Sequence, residues 1–297
     1  MKINANYITF TFCISVLCSV LITTTAYAQT QKVQVVTKTV QESFDYEPGL
    51  RLEIQGEKAD LSISSWDNEE ISISIKLISK ALTKEIAVEE LDNVRYIAEK
   101  KGKTLHLKNY FILPAGQKKF EAILSAALEV KVPRSMDLKI TSKYGDVQLN
   151  SLSGNHEVDM KYGKLQLNQI NTNGHFKSYF GDLIAQGVNG KYNFELNHVK
   201  TEINNFSGEI ELKTNLGDVH LSKPGKVKSL RVYAVKSDIT TESVNTDSYQ
   251  FDLQAEYGDI FLPEDSGVKK QRLNWKKGST TLPLFLLKTK FGKIKIE

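Results

Sequence analysis

Cysteine is almost absent from this chain, and its only two copies lie near the amino terminus. Cys13 and Cys18 fall within positions 1–28, which have the form of a signal peptide. Removal of that segment leaves a mature chain, positions 29–297, without cysteine. Disulfide bonds, thiolate metal sites and a cysteine nucleophile are then excluded, so stability must come from burial and backbone pairing.

The amino-terminal segment predicts export. Lys2 supplies a weak positive start, an apolar run follows from Tyr7 to Ile22, and Ala26-Tyr27-Ala28 is a small-x-small cleavage site. The run is short for a membrane span and no basic stop-transfer cluster follows it, so we expect cleavage rather than anchoring. The mature protein is expected in the periplasm, on the outer surface or outside the cell.

The chain also lacks a strong charge excess and a second long apolar run. Its formal net charge is +4, and it falls to +3 without the leader, which holds one lysine and no acidic residue. Nucleic-acid-binding proteins cluster their basic residues on one face, so no nucleic-acid partner is expected. No transmembrane span is expected after removal of the signal.

Catalytic motifs are missing as well. There is no Gly-x-Ser-x-Gly, His-Glu-x-x-His or phosphate-loop motif, and the five histidines show no metal-ligand spacing. Two acid pairs, Glu157 with Asp159 and Glu209 with Glu211, share strand faces as a polysaccharide-cleaving site would require. Only Arg231 is available to join them between positions 141 and 237. We therefore predict no enzyme, no catalytic, cofactor-binding or metal-binding residue, and no cofactor.

Internal repetition with an 18-residue period is what the chain has instead. The slot that defines the period is occupied by Gly145, Gly163, Gly181, Val199, Gly217 and Val235. The second and fourth positions after it are apolar and alternate with polar residues, as Val147 and Leu149 do, which indicates strands with one buried face. A short repeat of fixed pattern predicts stacked units. We predict an all-β fold, a parallel β-solenoid (a single-stranded β-helix, which we favour as right-handed) with 18-residue coils.

The residues that flank the slot are regular too. The preceding residue is aromatic in Tyr144, Tyr162 and Phe180, a pattern that either a stacked corner ladder or a platform for sugar rings would give. The following residue alternates in sign through Asp146, Lys164, Asp182, Lys200, Asp218 and Lys236. Unlike charges on adjacent coils attract, so this alternation predicts control of the stacking register. Calcium binding is the alternative, which the interleaved lysines oppose.

The 18-residue period is not kept after Lys236 or in the part of the chain before the repeats. After Lys236 the slot continues at Gly258 and Gly292, which we interpret as successive coils with loops at positions 240–247 and 263–270. Upstream strands are less regular, and apolar and acidic spacing predicts a short helix near positions 81–93. The organisation we predict is a signal peptide at 1–28, an irregular β-rich part at 29–142 and solenoid repeats at 143–297.

The arrangement resembles a known family. An alternating strand pair surrounds Ser65-Trp66-Asp67, a Leu-Glu-Val-Lys-Val-Pro segment occupies positions 128–133, and positions 144–149 form a Tyr-Gly-Asp-Val-x-Leu unit. These features are similar to those of the putative adhesin family of exported bacterial β-strand-repeat proteins, a domain of unknown function. The resemblance covers nearly all of the mature chain. It implies a β-solenoid at or outside the envelope, with no established enzymatic activity.

Three functions remain open at this point. The leading hypothesis is a non-catalytic exported solenoid, an adhesin-like or envelope scaffold protein that binds protein or glycan through its flat outer faces. The first alternative is a polysaccharide-active β-helix enzyme. The second is a periplasmic docking partner of an envelope-sensing system. The sequence names neither the partner nor the oligomeric state.

Overall fold

The computed structural model describes residues 32–265 and 273–297, and the predicted signal peptide lies outside them. Contacts divide the chain into Met1–Val33 and Gln34–Glu297, and the second unit carries the strands described below. No helix in the described ranges is long and apolar enough to cross a membrane. The elements are β1 Gln34–Asp45, β2 Arg51–Glu57, β3 Ala59–Trp66, β4 Glu70–Ala81, α1 Lys84–Leu91, β5 Val94–Lys101, β6 Thr104–Phe111, β7 Ile123–Pro133, β8 Asp137–Lys143, β9 Val147–Asn150, β10 His156–Asn168, β11 Asn171–Asn215, β12 Val219–Val235, β13 Ile239–Glu242, β14 Gln250–Glu256, β15 Ile260–Phe261, a 3-10 turn Pro263–Asp265, β16 Asn274–Lys277, β17 Leu284–Lys290 and β18 Ile294–Ile296.

The fold is mostly β and solenoid-like, with two strand-forming stretches in each repeat. One stretch follows the glycine slot, as β9 does, and these stretches form the first face. The other precedes the slot, as β8 does, and these form the second face. Equivalent stretches pair in parallel, and β10 pairs with β9, β8 and β11 at an offset of one repeat. Alternate side chains therefore enter the space between the faces.

The interior is built from aliphatic columns that follow this pairing. Leu149 pairs with Leu167 on the next coil, and further along the same column Ile203 pairs with Leu221. All four side chains are buried. The alternation of apolar and polar residues predicted this column, and the parallel register confirms it.

Close approach between coils explains the glycines of the slot. A Cβ atom on Gly163 would lie 2.2 Å from the carbonyl oxygen of Gly145, and one on Gly217 would lie 2.1 Å from that of Val199. The left-handed backbone belongs to the residue before the slot, with φ of 61° at Tyr162 and 57° at Leu216. Glycine is thus favoured here mainly by lack of space.

The coils at the carboxyl end do not follow chain order, so the interpretation of successive coils there was wrong. β17 pairs with β12 on one side and with β14 on the other. β18 likewise lies between β13 and β15. The last coil of the chain therefore inserts between the two coils before it. On the side of β14 that faces away from β17, β16 pairs with β14 as an antiparallel strand.

A small insertion moves the slot in this region, so the predicted placements of Val235 in the slot and of Lys236 after it were wrong. Phe206 on β11 pairs with Pro224 on β12, a full repeat later, whereas Glu209 pairs with Ser229, two positions beyond a full repeat. The pairing is irregular here because proline cannot donate to a strand ladder and the extra residues bulge. As a result Ser237 occupies the slot in place of Val235. Lys236 is the residue before the slot, and Asp238 is the residue after it.

Strands from the amino-terminal part join the same stack. β2 pairs in parallel with β8, and β3 with β9, although Leu61 is far in sequence from its partner Val147. β6 and β7 lie outside β2 and β3, and β5, β4 and β1 continue in antiparallel pairs. α1 begins after Thr83, whose hydroxyl accepts a bond from the Ile86 N–H, and lies within the predicted range 81–93. The division at position 142 stays a prediction.

Candidate functional site

A column of exposed aromatic side chains runs along the corner before the slot. Ring centroids are 4.9 Å apart between Tyr144 and Tyr162, 5.2 Å between Tyr162 and Phe180, and 4.7 Å between Phe180 and His198. The rings are nearly parallel, so each inner ring has both faces covered by its neighbours. A sugar stacks on a free ring face. The geometry therefore favours the structural ladder over the sugar platform.

Unlike charges are in register along the charged column after the slot, as the alternation predicts, but within the described ranges they do not form ion pairs from coil to coil. Lys164 is in register with Asp182, yet in residues 32–265 and 273–297 its ammonium forms no ion pair with an acidic side chain. Lys200 pairs at 2.8 Å with Glu202 on its own strand. The hydrogen bond and charge of Glu202 are the main causes that raise the pKa of Lys200, with smaller contributions from Asp182 and Asp218.

Four aspartates of this column bind the backbone of the next coil instead. Each of the four carboxylates accepts a hydrogen bond from the N–H of the equivalent residue on the neighbouring coil. The pairs are Asp60 with Asp146 at 3.0 Å, Asp146 with Lys164 at 2.8 Å, Asp218 with Asp238 at 2.9 Å, and Asp238 with Lys293 at 2.7 Å. Two acidic residues are thus adjacent at Asp218 and Asp238, where strict alternation would need a lysine.

The acid pairs weighed as catalytic candidates lie on the second face, where Glu157 and Asp159 are exposed and Glu209 and Glu211 are half-buried. Glu157 binds Arg51 at 3.1 Å between Oε2 and Nη2, and Glu211 binds Lys213 at 2.9 Å. Sequence spacing missed the arginine because Arg51 reaches this face only through the pairing of β2 with β8. Within the described ranges no group of three or more acidic, histidine or cysteine side chains is placed to hold a metal ion.

The second face also carries a groove of about 600 Å³. Asn197, Asn215 and Val235 line it with short side chains, and Val235 pairs with Asn215 on one side and Lys290 on the other. The larger side chain of Tyr179 lines the same groove. The depression follows from the sequence, because short residues stand where neighbouring coils carry tyrosine or lysine in the same outward position.

Aromatic and charged side chains complete this groove. Tyr233 and Lys288 pair in register across adjacent strands and both line it. Lys213 and Lys290 are engaged by Glu211 and Glu256, at 2.9 Å and 3.1 Å. Lys288 has no ion-pair partner among the residues that the structure describes. The groove thus offers ring surface, amides and an uncommitted ammonium group to a ligand.

Comparison with known proteins places most of the chain in one family. Residues 50–297 match the family model described as Toastrack DUF4097. The search of curated proteins gave no significant match. Among solved structures, the chain is similar to a putative adhesin from Parabacteroides distasonis, with 11% identity, a TM-score of 0.41, and coverage of 89% of this chain and 97% of that one.

Two further structures are similar over comparable lengths. One is a putative adhesin from Bacteroides fragilis, with 13% identity, a TM-score of 0.38, and coverage of 88% of this chain and 97% of that one. The other is titled a putative lipid binding protein, from Parabacteroides distasonis, with 13% identity, a TM-score of 0.36, and coverage of 89% of this chain and 97% of that one.

Proposed function

This chain belongs to the Toastrack DUF4097 family, and from that premise we propose that it is a non-catalytic, exported, adhesin-like or scaffold protein of the cell envelope. Its partner is an envelope glycan or protein, bound on the second face. The proposal includes cleavage of the segment 1–28 and a right-handed solenoid with 18-residue coils. It assigns no catalytic, cofactor or metal residue.

The groove on the second face is the observation that supports this function. Its two tyrosines supply apolar ring surface with a polar tip, and Asn197 and Asn215 supply both donors and acceptors. This combination suits a glycan, which presents apolar ring faces and many hydroxyl groups. Of the two partner classes, the lining therefore favours a glycan.

A polysaccharide-cleaving enzyme receives less support from the same face. A retaining or inverting glycosidase needs two carboxyl groups on opposite sides of the bond, one of them with a raised pKa. Glu157 and Glu211 are each held by a cation, the first exposed and the second half-buried. Their surroundings suit ion pairing better than acid catalysis.

Binding of the mature protein to immobilised envelope polysaccharides tests the proposal. Asn215→Trp would fill the groove, so we expect at least a tenfold loss of affinity. Gln186→Trp is the matched control, since Gln186 is exposed on β11 outside the groove, and it should bind as the unmodified protein does. Absence of glycan binding, equal binding by both variants, or cleavage of a polysaccharide would each overturn the proposal. Capture of an envelope protein that only Asn215→Trp abolishes would identify the docking alternative.

A further inference from the structure

The strand β1 forms an open edge at one end of the first face. It pairs with β4 along its whole length, from Gln34 opposite Ala81 to Asp45 opposite Glu70, and no other strand in the described ranges pairs with it. The register is continuous, and β1 contains neither proline nor glycine. Edge strands are commonly blocked by proline or by a bulge. Neither feature is present in β1, so its outer backbone groups can pair with another strand.

The outer backbone groups belong to the odd-numbered residues of β1. The Tyr46 N–H, directly after the strand, donates a hydrogen bond to the Glu69 carbonyl on the β4 side. Because backbone direction alternates along a strand, the even-numbered residues point toward β4. Thr39, Gln41 and the other odd-numbered residues then present their donors and acceptors at the open edge. A second strand must therefore pair with β1 through these positions.

Two charged side chains in the middle of β1 have no ionic partner. Lys38 is exposed and Glu42 is half-buried, and neither forms an ion pair with a residue in the described ranges. The Tyr96 hydroxyl donates to a Glu42 oxygen at 3.0 Å, which leaves the negative charge without a cation. Lys38 and Glu42 are separated by about 13 Å along an extended strand, so they do not pair within one chain.

An antiparallel pair of β1 strands brings these charges together in one register. With Val40 opposite Val40 of the partner subunit, Lys38 lies opposite the partner's Glu42, and odd-numbered residues face one another as the open edge requires. A shift by the smallest allowed step places Lys38 opposite the partner's Val40 or the partner's Phe44. Directly opposed unlike charges stabilise a strand pair, whereas an inward-pointing charge opposite an apolar residue disfavours one. The two charges therefore select this register.

We propose that β1 is a dimerisation strand, paired in this antiparallel register with β1 of a second copy of the chain. The interface is isologous, so the ion pair between Lys38 and the partner's Glu42 occurs twice around a two-fold axis at Val40. Val36, which packs against the core, lies opposite the partner's Phe44 in the same register. The first faces of the two copies then form one continuous sheet. The inference does not rest on the groove, which lies on the second face.

Charge exchange in the purified mature protein tests the ion pairs. Gel filtration with light scattering should show a dimer, and Lys38→Glu or Glu42→Lys should raise the dimer dissociation constant tenfold or more. The double variant, Lys38→Glu with Glu42→Lys, makes the opposed charges unlike again and should restore the dimer. Lys226→Glu is the matched control, since this exposed lysine lies on β12, away from the edge, and it should dimerise as the unmodified protein does.

A proline at position 39 tests the backbone pairing without a change of charge. The Thr39 N–H points away from β4, and proline is tolerated in an edge strand at such a position. We therefore expect Thr39→Pro to be a folded monomer with the circular dichroism of the unmodified protein. If that variant fails to fold, the charge and cysteine variants still decide the question.

Single cysteines report the register, because the mature chain contains no cysteine. Two copies of Val40→Cys should face each other and form a disulfide-linked dimer on oxidation. Two copies of Lys38→Cys would lie about 13 Å apart, which is too far for a disulfide. A non-reducing gel distinguishes the two variants.

Several results would overturn the proposal. A monomer at every protein concentration would do so, and it would leave the edge to a strand of another protein. A dimer that Lys38→Glu and Thr39→Pro leave unchanged would place the interface elsewhere. Failure of the double variant to restore the dimer, or cross-linking of Lys38→Cys in place of Val40→Cys, would reject the register. A dimer that binds no polysaccharide would reject the function proposed for the groove and leave this interface standing.

Discussion

The Asp146 carboxylate accepts a 2.8 Å hydrogen bond from the backbone N–H of Lys164, the equivalent residue on the next coil. This contact, and not an ion pair between side chains, joins the two coils at the charged column. A backbone donor is present whatever the next side chain is, which explains why Asp218 can do the same to Asp238. The aspartate is therefore the residue that sets the contact, and the lysine is exchangeable.

Replacement of Asp146 should destabilise the protein more than replacement of Lys164. Asp146→Ala removes a charge-assisted hydrogen bond at an exposed position, so we expect a loss of roughly 1 kcal/mol in the free energy of unfolding. Lys164→Ala should change it by less than about 0.5 kcal/mol. Urea unfolding at low and high salt measures both. Equal losses that shrink together at high salt would instead establish the ion-pair ladder.

Gly163→Ala should be strongly destabilising because the new methyl group meets backbone. Its Cβ would lie 2.2 Å from the Gly145 carbonyl oxygen, so adjacent coils must separate, and we expect a loss of about 2–4 kcal/mol. Gly102→Ala is the control: φ there is 58° and nothing lies within 4 Å of the added atom. That variant should lose only about 1 kcal/mol from the left-handed backbone. Similar losses in the two variants would contradict the close approach.

At Tyr162 we expect a glycine substitution to destabilise the protein less than an alanine substitution. Both Tyr162→Ala and Tyr162→Gly lose ring contacts with Tyr144 and Phe180. Only glycine relieves the left-handed backbone, with φ of 61°. We expect Tyr162→Gly to be more stable than Tyr162→Ala by about 1 kcal/mol in denaturant unfolding. The reverse order would show that backbone strain at this corner is negligible.

Local pattern predicted the elements of this fold but not the order of its coils. Alternation around Val147 and Leu149 specified strands and their buried faces, because that information is contained in adjacent residues. The coils that contain Gly258 and Gly292 follow the same sequence pattern. The pattern alone therefore does not indicate which of the two coils lies at the end of the stack. The register shift near Pro224 was missed for a related reason: Val235 satisfies the apolar pattern of the slot that Ser237 occupies.

The candidate sites were less predictable than the fold. Asn197 and Asn215 form a depression only because adjacent coils carry bulkier residues in the same column, which requires the stacking register to be known. Arg51 meets Glu157 through strands that are distant in the chain. His156 did carry a local signal, since a histidine stands where the pattern of the repeat expects an apolar residue. Only the pairing with Leu138 and Gly174 shows that the ring lies in the column that faces the interior.

Introduced cysteines can test the inserted final coil directly. Val235 is in register with Lys290, and Lys290 with Glu256 on the next strand outward. Directly paired strands are close enough for a disulfide, whereas strands with another strand between them are twice as far apart and too distant for one. In the mature chain, Val235→Cys with Lys290→Cys should therefore oxidise readily, and Val235→Cys with Glu256→Cys should not. Gel mobility after oxidation distinguishes them, and the opposite result would restore chain order at this end.

His156 should make stability depend on pH below neutrality. Burial lowers the pKa of His156 from 6.5 to about 4, so between these values the unfolded chain binds more protons than the folded protein. The free energy of unfolding must then fall as pH falls through this window. The full effect of this single group is about 3 kcal/mol by pH 4.

His156→Phe cannot titrate, so it should be spared this part of the loss, while carboxylates that titrate in both proteins cancel in the comparison. Ser178→Ala is the control, because it alters a buried unpaired group that does not titrate, and its stability should run parallel to that of the unmodified protein. Denaturant unfolding at intervals from pH 7 to pH 4 measures the three proteins. A constant difference between the unmodified protein and His156→Phe across that range would show that the imidazole is protonated without hindrance, and hence that it is not enclosed as the structure has it.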